Sequence, residues 1–211
     1  MELADSGIFW IPDETDLTHG WAVLCGPSDT PYEGGAFCFE VRFPDMYPFE
    51  PPVFTYLTND GRTRFNPNLY KNGKVCLSLL NTWQGEQWSG VQSLSSVLQS
   101  IQTAVLTGEP LRNEPAYSAM GTHPDMPIYN RQVCQAVVET AMLAYLMDPP
   151  PFLVPVYDAF RAYIMKSKDR VVAKLRSLAA EWDGKTEAMT FFQMAVRYKF
   201  AALADQLAVI T

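Results

Sequence analysis

The sequence predicts an α+β chain: a four-stranded antiparallel meander packed on helices, followed by a helical extension. Three observations carry this. Short aromatic and β-branched segments fill the first third of the 211 residues, with turn chemistry between them. Helical periodicity begins only after residue 93. A triple proline at 149–151 separates that helical region from a further one. Strands followed by helices belong to α+β layouts rather than to alternating α/β ones.

The expected strands are Gly7–Pro12, Gly20–Cys25, Ala36–Phe43 and Val53–Thr58. Pro12-Asp13, Gly26-Pro27, Gly34-Gly35 and the cluster Pro48, Pro51 and Pro52 punctuate them. Connections this short permit hairpins but not crossover helices. From Phe65 to Gly90 the periodicity is lost and Asn, Gly and Trp take over, so the segment reads as a long ordered loop, which is usually functional. Leu94, Val97, Leu98, Ile101 and Val105 then follow helical spacing, with Gly108 ending the run. A second helix is expected within Thr122–Met147, with Pro127 in its first turn. Beyond the prolines, helices are expected over Pro155–Ser167, Asp169–Asp183 and Glu187–Val209. The domain reading is a core over residues 1–148 and a helical extension over 149–211.

Composition narrows the function. Apolar residues make up 48% and charged residues 18%, which are globular proportions. The net charge is −7, and residues 1–60 hold eleven acids against one base, Arg42. An acidic chain without a basic run is a poor match for nucleic acid. No apolar run is long enough to span a bilayer, so no membrane association is expected, and no secretory leader is visible. Four separated cysteines and two histidines suit neither a disulfide framework nor a metal cluster. Free thiols fit a reducing compartment, cytoplasmic or nuclear.

The motifs are more specific. Residues 26–52 contain GPSDTPYEGG and FPDMYPFEPP, residues 65–83 read FNPNLYKNGKVCLSLLNTW, and WSG follows at 88–90. In this order they resemble the ubiquitin-conjugating enzymes, and NPN, KVCLSLL and NEP at 113–115 resemble that family's branch of large enzymes. The resemblance covers roughly residues 7–120. It implies the UBC fold, and an enzyme that accepts ubiquitin or a similar modifier from an activating enzyme and passes it to a substrate lysine. It implies no cofactor on this chain, since ATP is used by the activating enzyme.

Cys76 then becomes the expected nucleophile, because a thiolate can take an acyl group and hand it to an amine. Cys25, Cys38 and Cys134 sit in apolar strand or helix patterns and read as buried structural cysteines. Asn68, eight residues before Cys76, matches the family's motif asparagine. Its amide could donate to an oxyanion or shape the loop through its own backbone. Asn66 stands where the family has histidine, and with Pro67 and Ser78 it is assigned to loop shape. Glu114 is the nearest match to the family's acid beyond the next helix, with a solvated turn acid as the plain alternative. Phe49, Gly90 and Val91 match the two loops where ubiquitin ligases dock. The family's N-terminal helix is expected to be absent or truncated. Two other readings compete: a UBC-fold module that binds without catalysis, and a cysteine hydrolase, which needs a histidine base near the thiol.

Overall fold

The computed structural model describes residues 6–211. The expected missing N-terminal helix concerns residues that lie outside this range. Four strands, β1 (Ile8–Pro12), β2 (His19–Cys25), β3 (Ala36–Arg42) and β4 (Val53–Tyr56), form one antiparallel sheet in the order β1-β2-β3-β4. The meander is therefore as expected. Its register sets Trp10 against Ala22, Val23 against Cys38, and Val41 against Phe54.

Strand side chains alternate between the two faces, and here both faces are buried. Ile8, Ala22, Leu24, Phe37, Phe39 and Val41 join one core with Val97, Ile101, Tyr129 and Val133. Phe9, Ile11, Val23, Cys25, Ala36 and Cys38 join a second core with Cys134, Leu153, Phe160, Ile164 and Leu207. This explains why the strands read as near-continuous apolar runs rather than as a clean alternation.

The first helix, α1 (Leu94–Ser100), starts at Ser93, whose side chain and that of Ser96 close a reciprocal cap; a π-helical turn, Ile101–Val105, continues it. After the short α2 (Pro115–Ser118) comes α3 (Asp125–Ala136), extended through a π-helical stretch to α4 (Ala144–Met147). The triple proline ends this rod, and a 3₁₀ segment, Pro151–Val156, leads into α5 (Tyr157–Trp182).

Two expectations for the extension differ from the structure. No break occurs at Ser167-Lys168: helix α5 runs through because Phe160, Ile164, Val171 and Leu175 bury one face in the second core, and the buried Ser167 hydroxyl is satisfied by the Ile164 carbonyl at 2.8 Å. Nor is Glu187–Val209 one helix. A hairpin of β5 (Thr186–Met189) and β6 (Met194–Arg197) precedes α6 (Phe200–Ala208). The hairpin wins because Met189 and Met194 face one way and reach the first core, while Glu187 meets Arg131 of α3 in a bidentate pair at 2.8 Å. Gln193 takes φ +52 in the turn between the strands.

Candidate active site

The loop expected over residues 65–90 folds back on itself immediately before Cys76. Gly73 adopts φ +88, a value suited to glycine, in the Asn72-Gly73 turn; its amide bonds the Tyr70 carbonyl at 3.0 Å. Bridges pair Asn66 with Leu69 and Leu69 with Val75. This tight reversal turns a sequence spacing of eight residues into direct contact. Cys76 N–H donates to the Asn68 carbonyl at 2.9 Å, and Asn68 Nδ2 donates to the Cys76 carbonyl at 2.6 Å. Asn68 is thus fastened to the backbone of the cysteine it was expected to assist. Among the described residues neither its second Nδ2 hydrogen nor its buried Oδ1 has a partner.

Asn66 is the hub of this loop. It is fully buried, and its Nδ2 donates to Tyr32 Oη at 2.9 Å and to the Val105 carbonyl at 2.8 Å. Its Oδ1 accepts from Asn68 N–H at 2.8 Å and from Asn113 Nδ2 at 3.4 Å. An amide supplies donors and an acceptor at once, so it can tie three elements together without an unpaired buried group. Arg64 adds a brace. It donates to the carbonyls of Asn66 at 3.0 Å and Pro67 at 2.6 Å, and its guanidinium lies 3.4 Å over the Tyr70 ring.

Downstream, Ser78 begins the 3₁₀ turn Ser78–Leu80, with its side chain close to Gly85. Thr82 clips this turn to the cysteine segment. Its Oγ1 lies 2.8 Å from the Val75 carbonyl and 3.1 Å from that of Leu77, and it accepts the Leu77 amide at 2.9 Å.

Cys76, Asn68, Pro67 and Glu114 all line one narrow cleft, together with Tyr70, Trp83, Asn113 and Pro115. Cys76 is 3% exposed and lies in a slot. Glu114, at the start of α2, is the one charged residue of the lining. No histidine, lysine or arginine is among these residues. His19 is held on β2 between Asp13 at 3.0 Å and Glu40 at 2.9 Å, and His123 packs on Tyr117. Neither is placed to serve as a base for Cys76. The other three cysteines are free and buried in the second core. Burial pushes the Cys25 and Cys134 thiols up, and that of Cys38 to about 12.

Phe49, Gly90 and Val91 come together elsewhere. Trp88 Nε1 donates to the Pro48 carbonyl at 2.9 Å, which draws the WSG loop against the proline-rich loop after β3. Phe49 is 78% and Val91 93% exposed. Residues that sequence reasoning passed over are Arg64, Thr82, Trp83 and Asn113. Thr82 and Trp83 close the 65–83 motif and Asn113 adjoins Glu114, so only Arg64 carried no signal. Among the described residues no group of three His, Cys, Asp or Glu side chains is arranged to hold a metal ion, and no helix is long and apolar enough to cross a membrane.

Comparison with known proteins bears on this geometry. The family model described as ubiquitin-conjugating enzyme matches residues 2–136, which include the whole sheet and the Cys76 cleft. Ubiquitin-conjugating enzyme E2 Z of Homo sapiens is 46% identical over 137 residues, covering 64% of this chain and 38% of that protein. The E2 Z of Xenopus tropicalis is also 46% identical, over 141 residues and 45% of its length. The dual E2 ubiquitin-conjugating enzyme/E3 ubiquitin-protein ligase BIRC6 of Homo sapiens is 36% identical over 97% of this chain, extension included, and 4% of that protein. The chain therefore spans less than half the length of these relatives. With the sheet, the braced loop and the cysteine cleft all inside the matched region, the chain belongs to the ubiquitin-conjugating enzyme family.

Proposed function

We propose that the chain carries ubiquitin or a ubiquitin-like modifier as a thioester on Cys76 and transfers it to a substrate lysine. The observation that supports this is the placing of Cys76: it lines a narrow surface cleft together with Asn68, whose side-chain amide donates to the Cys76 carbonyl, and with the carboxylate-bearing Glu114. In charging, the Cys76 thiolate attacks the thioester between the modifier's C-terminus and an activating enzyme. A new C–S bond forms, the old one breaks, and the activating enzyme's sulfur leaves as thiolate. In discharge, a lysine amine attacks the same carbonyl, a C–N bond forms, and Cys76 leaves as thiolate. The amine's proton passes to Glu114 or to water. Asn68 donates its unused Nδ2 hydrogen to the oxyanion. No step uses a cofactor on this chain, since ATP is consumed in making the activated thioester.

A ubiquitin ligase docks on the exposed Phe49 and Val91, with Gly90 between the loops. Hydrolysis by a cysteine–histidine pair lacks support, because no histidine lines the cleft. Incubation with activating enzyme, ATP and ubiquitin should give a band sensitive to reducing agent on a gel. Cys76→Ser should give a more stable oxyester and Cys76→Ala no adduct, while Cys25, Cys38 and Cys134 to Ala should charge normally. Equal charging by Cys76→Ala would end the proposal.

A further inference from the structure

The β5–β6 hairpin is a two-stranded sheet, so each strand has one outer edge that meets no further strand among the described residues, and the edge of β6 lies along a groove. β6 pairs only with β5, Thr186 opposite Arg197 through Met189 opposite Met194, and the Tyr198 amide donates to the Lys185 carbonyl at 2.9 Å. Hydrogen bonding in an antiparallel ladder alternates residue by residue. Met194 and Val196 therefore turn their backbone groups to β5, and Ala195 and Arg197 turn theirs outward. The Arg197 carbonyl already accepts Gln135 Nε2 at 3.3 Å. Among the described residues, both backbone groups of Ala195 and the amide of Arg197 have no partner.

Among the described residues no strand pairs with this edge. Two adjoining cavities, of about 390 and 330 Å³, run along it and share Arg62, Thr63, Ala195 and Val196. Their other walls are α3 and the 60–63 loop, and neither cavity includes a residue of the Cys76 cleft. Arg62, Lys71, Arg197 and Lys199 line them, against Asp60 and Glu139. Asp60 turns its carboxylate into its own loop, accepting from Arg62 N–H at 2.9 Å and Thr63 N–H at 2.6 Å. Glu139 lies 3.4 Å from Lys199. The groove is thus positive in a chain of net charge −7. At its side, Gln132 is fully buried, and its Oε1 has no partner among the described residues.

An open strand edge recruits an extended chain through main-chain hydrogen bonds, and the flanking side chains choose its character. We propose that an acidic, extended segment of a partner protein adds to β6 as a third strand, about four residues long, with its acids between Arg62 and Arg197. This is separate from the chemistry at Cys76, because the two sites share no residue.

The test uses the full chain and a fluorescein-labelled eight-residue peptide that alternates glutamate with threonine. A lysine–threonine peptide and a single-stranded oligonucleotide serve as comparisons. Only the acidic peptide should bind, with saturable anisotropy. Bound peptide should protect the Ala195 and Arg197 amides from hydrogen exchange. Ala195→Pro removes an outward amide without breaking the β5–β6 ladder, and Arg62→Glu with Arg197→Glu reverses the charge. Each should weaken binding at least about tenfold and leave ubiquitin charging at Cys76 unchanged. Binding that survives Ala195→Pro, or that leaves the two amides unprotected, overturns strand addition. Failure of the acidic peptide to bind, or preference for the lysine peptide or the oligonucleotide, overturns the proposal.

Discussion

Replacing Asn68 by alanine separates two jobs that one side chain holds. In the resting protein Asn68 Nδ2 donates to the Cys76 carbonyl at 2.6 Å, and Cys76 is buried. Truncation leaves that carbonyl unpaired, at a cost of about 1–3 kcal/mol. For a chain of this size each kcal/mol lowers the melting temperature by about 2–4 °C. The backbone bonds of Asn68, to Asn66 Oδ1 and from the Cys76 amide, do not involve its side chain and remain. Charging exchanges one thiol for another and should be nearly normal. Discharge by an amine asks more of the oxyanion donor, and losing one such donor costs about 100-fold. Asn68→Asp should melt lower than Asn68→Ala, because a carboxylate oxygen then faces the Cys76 carbonyl. The assay is single-turnover discharge of the purified thioester to free lysine, with thermal melts beside it. If Asn68→Ala melts lower yet discharges at the wild-type rate, Asn68 is a loop brace only and the oxyanion reasoning fails. If charging and discharge fall equally, the cleft has lost its shape and the donor role is again refuted.

Glu114→Gln should charge normally and discharge more slowly than wild type, by less than Asn68→Ala; wild-type discharge reduces Glu114 to a turn residue. Thr82→Val keeps the volume of the side chain but leaves the Leu77 amide and the Val75 carbonyl without their partner, so it should cost about 2 kcal/mol in urea denaturation. An unchanged midpoint would show that the clip is replaceable. Glu187 gives a pH test. Burial opposes its charge, but hydrogen bonds from Arg131 and Tyr198 outweigh that and hold its carboxyl below 4.5. A lowered folded value means its stabilisation is present above the unfolded value and lost as pH falls through the folded one. The melting-temperature gap between wild type and Glu187→Gln should therefore be steady near neutrality and close below about pH 4.5; a gap that widens on acidification would refute the sign.

The sequence by itself determined the meander and the Cys76 loop, and it singled out Cys76 as the candidate nucleophile. Strand composition and turn residues are local signals, and the Asn72-Gly73 turn forces Asn68 against Cys76 over a span short enough to read directly. It also foretold the fate of Cys25, Cys38 and Cys134, because apolar patterns report burial. Tertiary contacts decided the rest. Ser167-Lys168 reads as a helix interruption until the second core takes Ile164 before it and Val171 and Leu175 after it. Residues 187–197 have helix-compatible apolar spacing, yet they form a hairpin because Arg131, far away in the chain, holds Glu187 and the first core takes Met189 and Met194. Thr82 and Arg64 gain their bracing bonds, and Trp83 its place at the cleft, only when the loop closes. Local propensity is worth tenths of a kcal/mol per residue, and burial of a single large side chain is worth about 1.5–3 kcal/mol. Where a distant partner offers burial or a bidentate ion pair, that partner sets the structure.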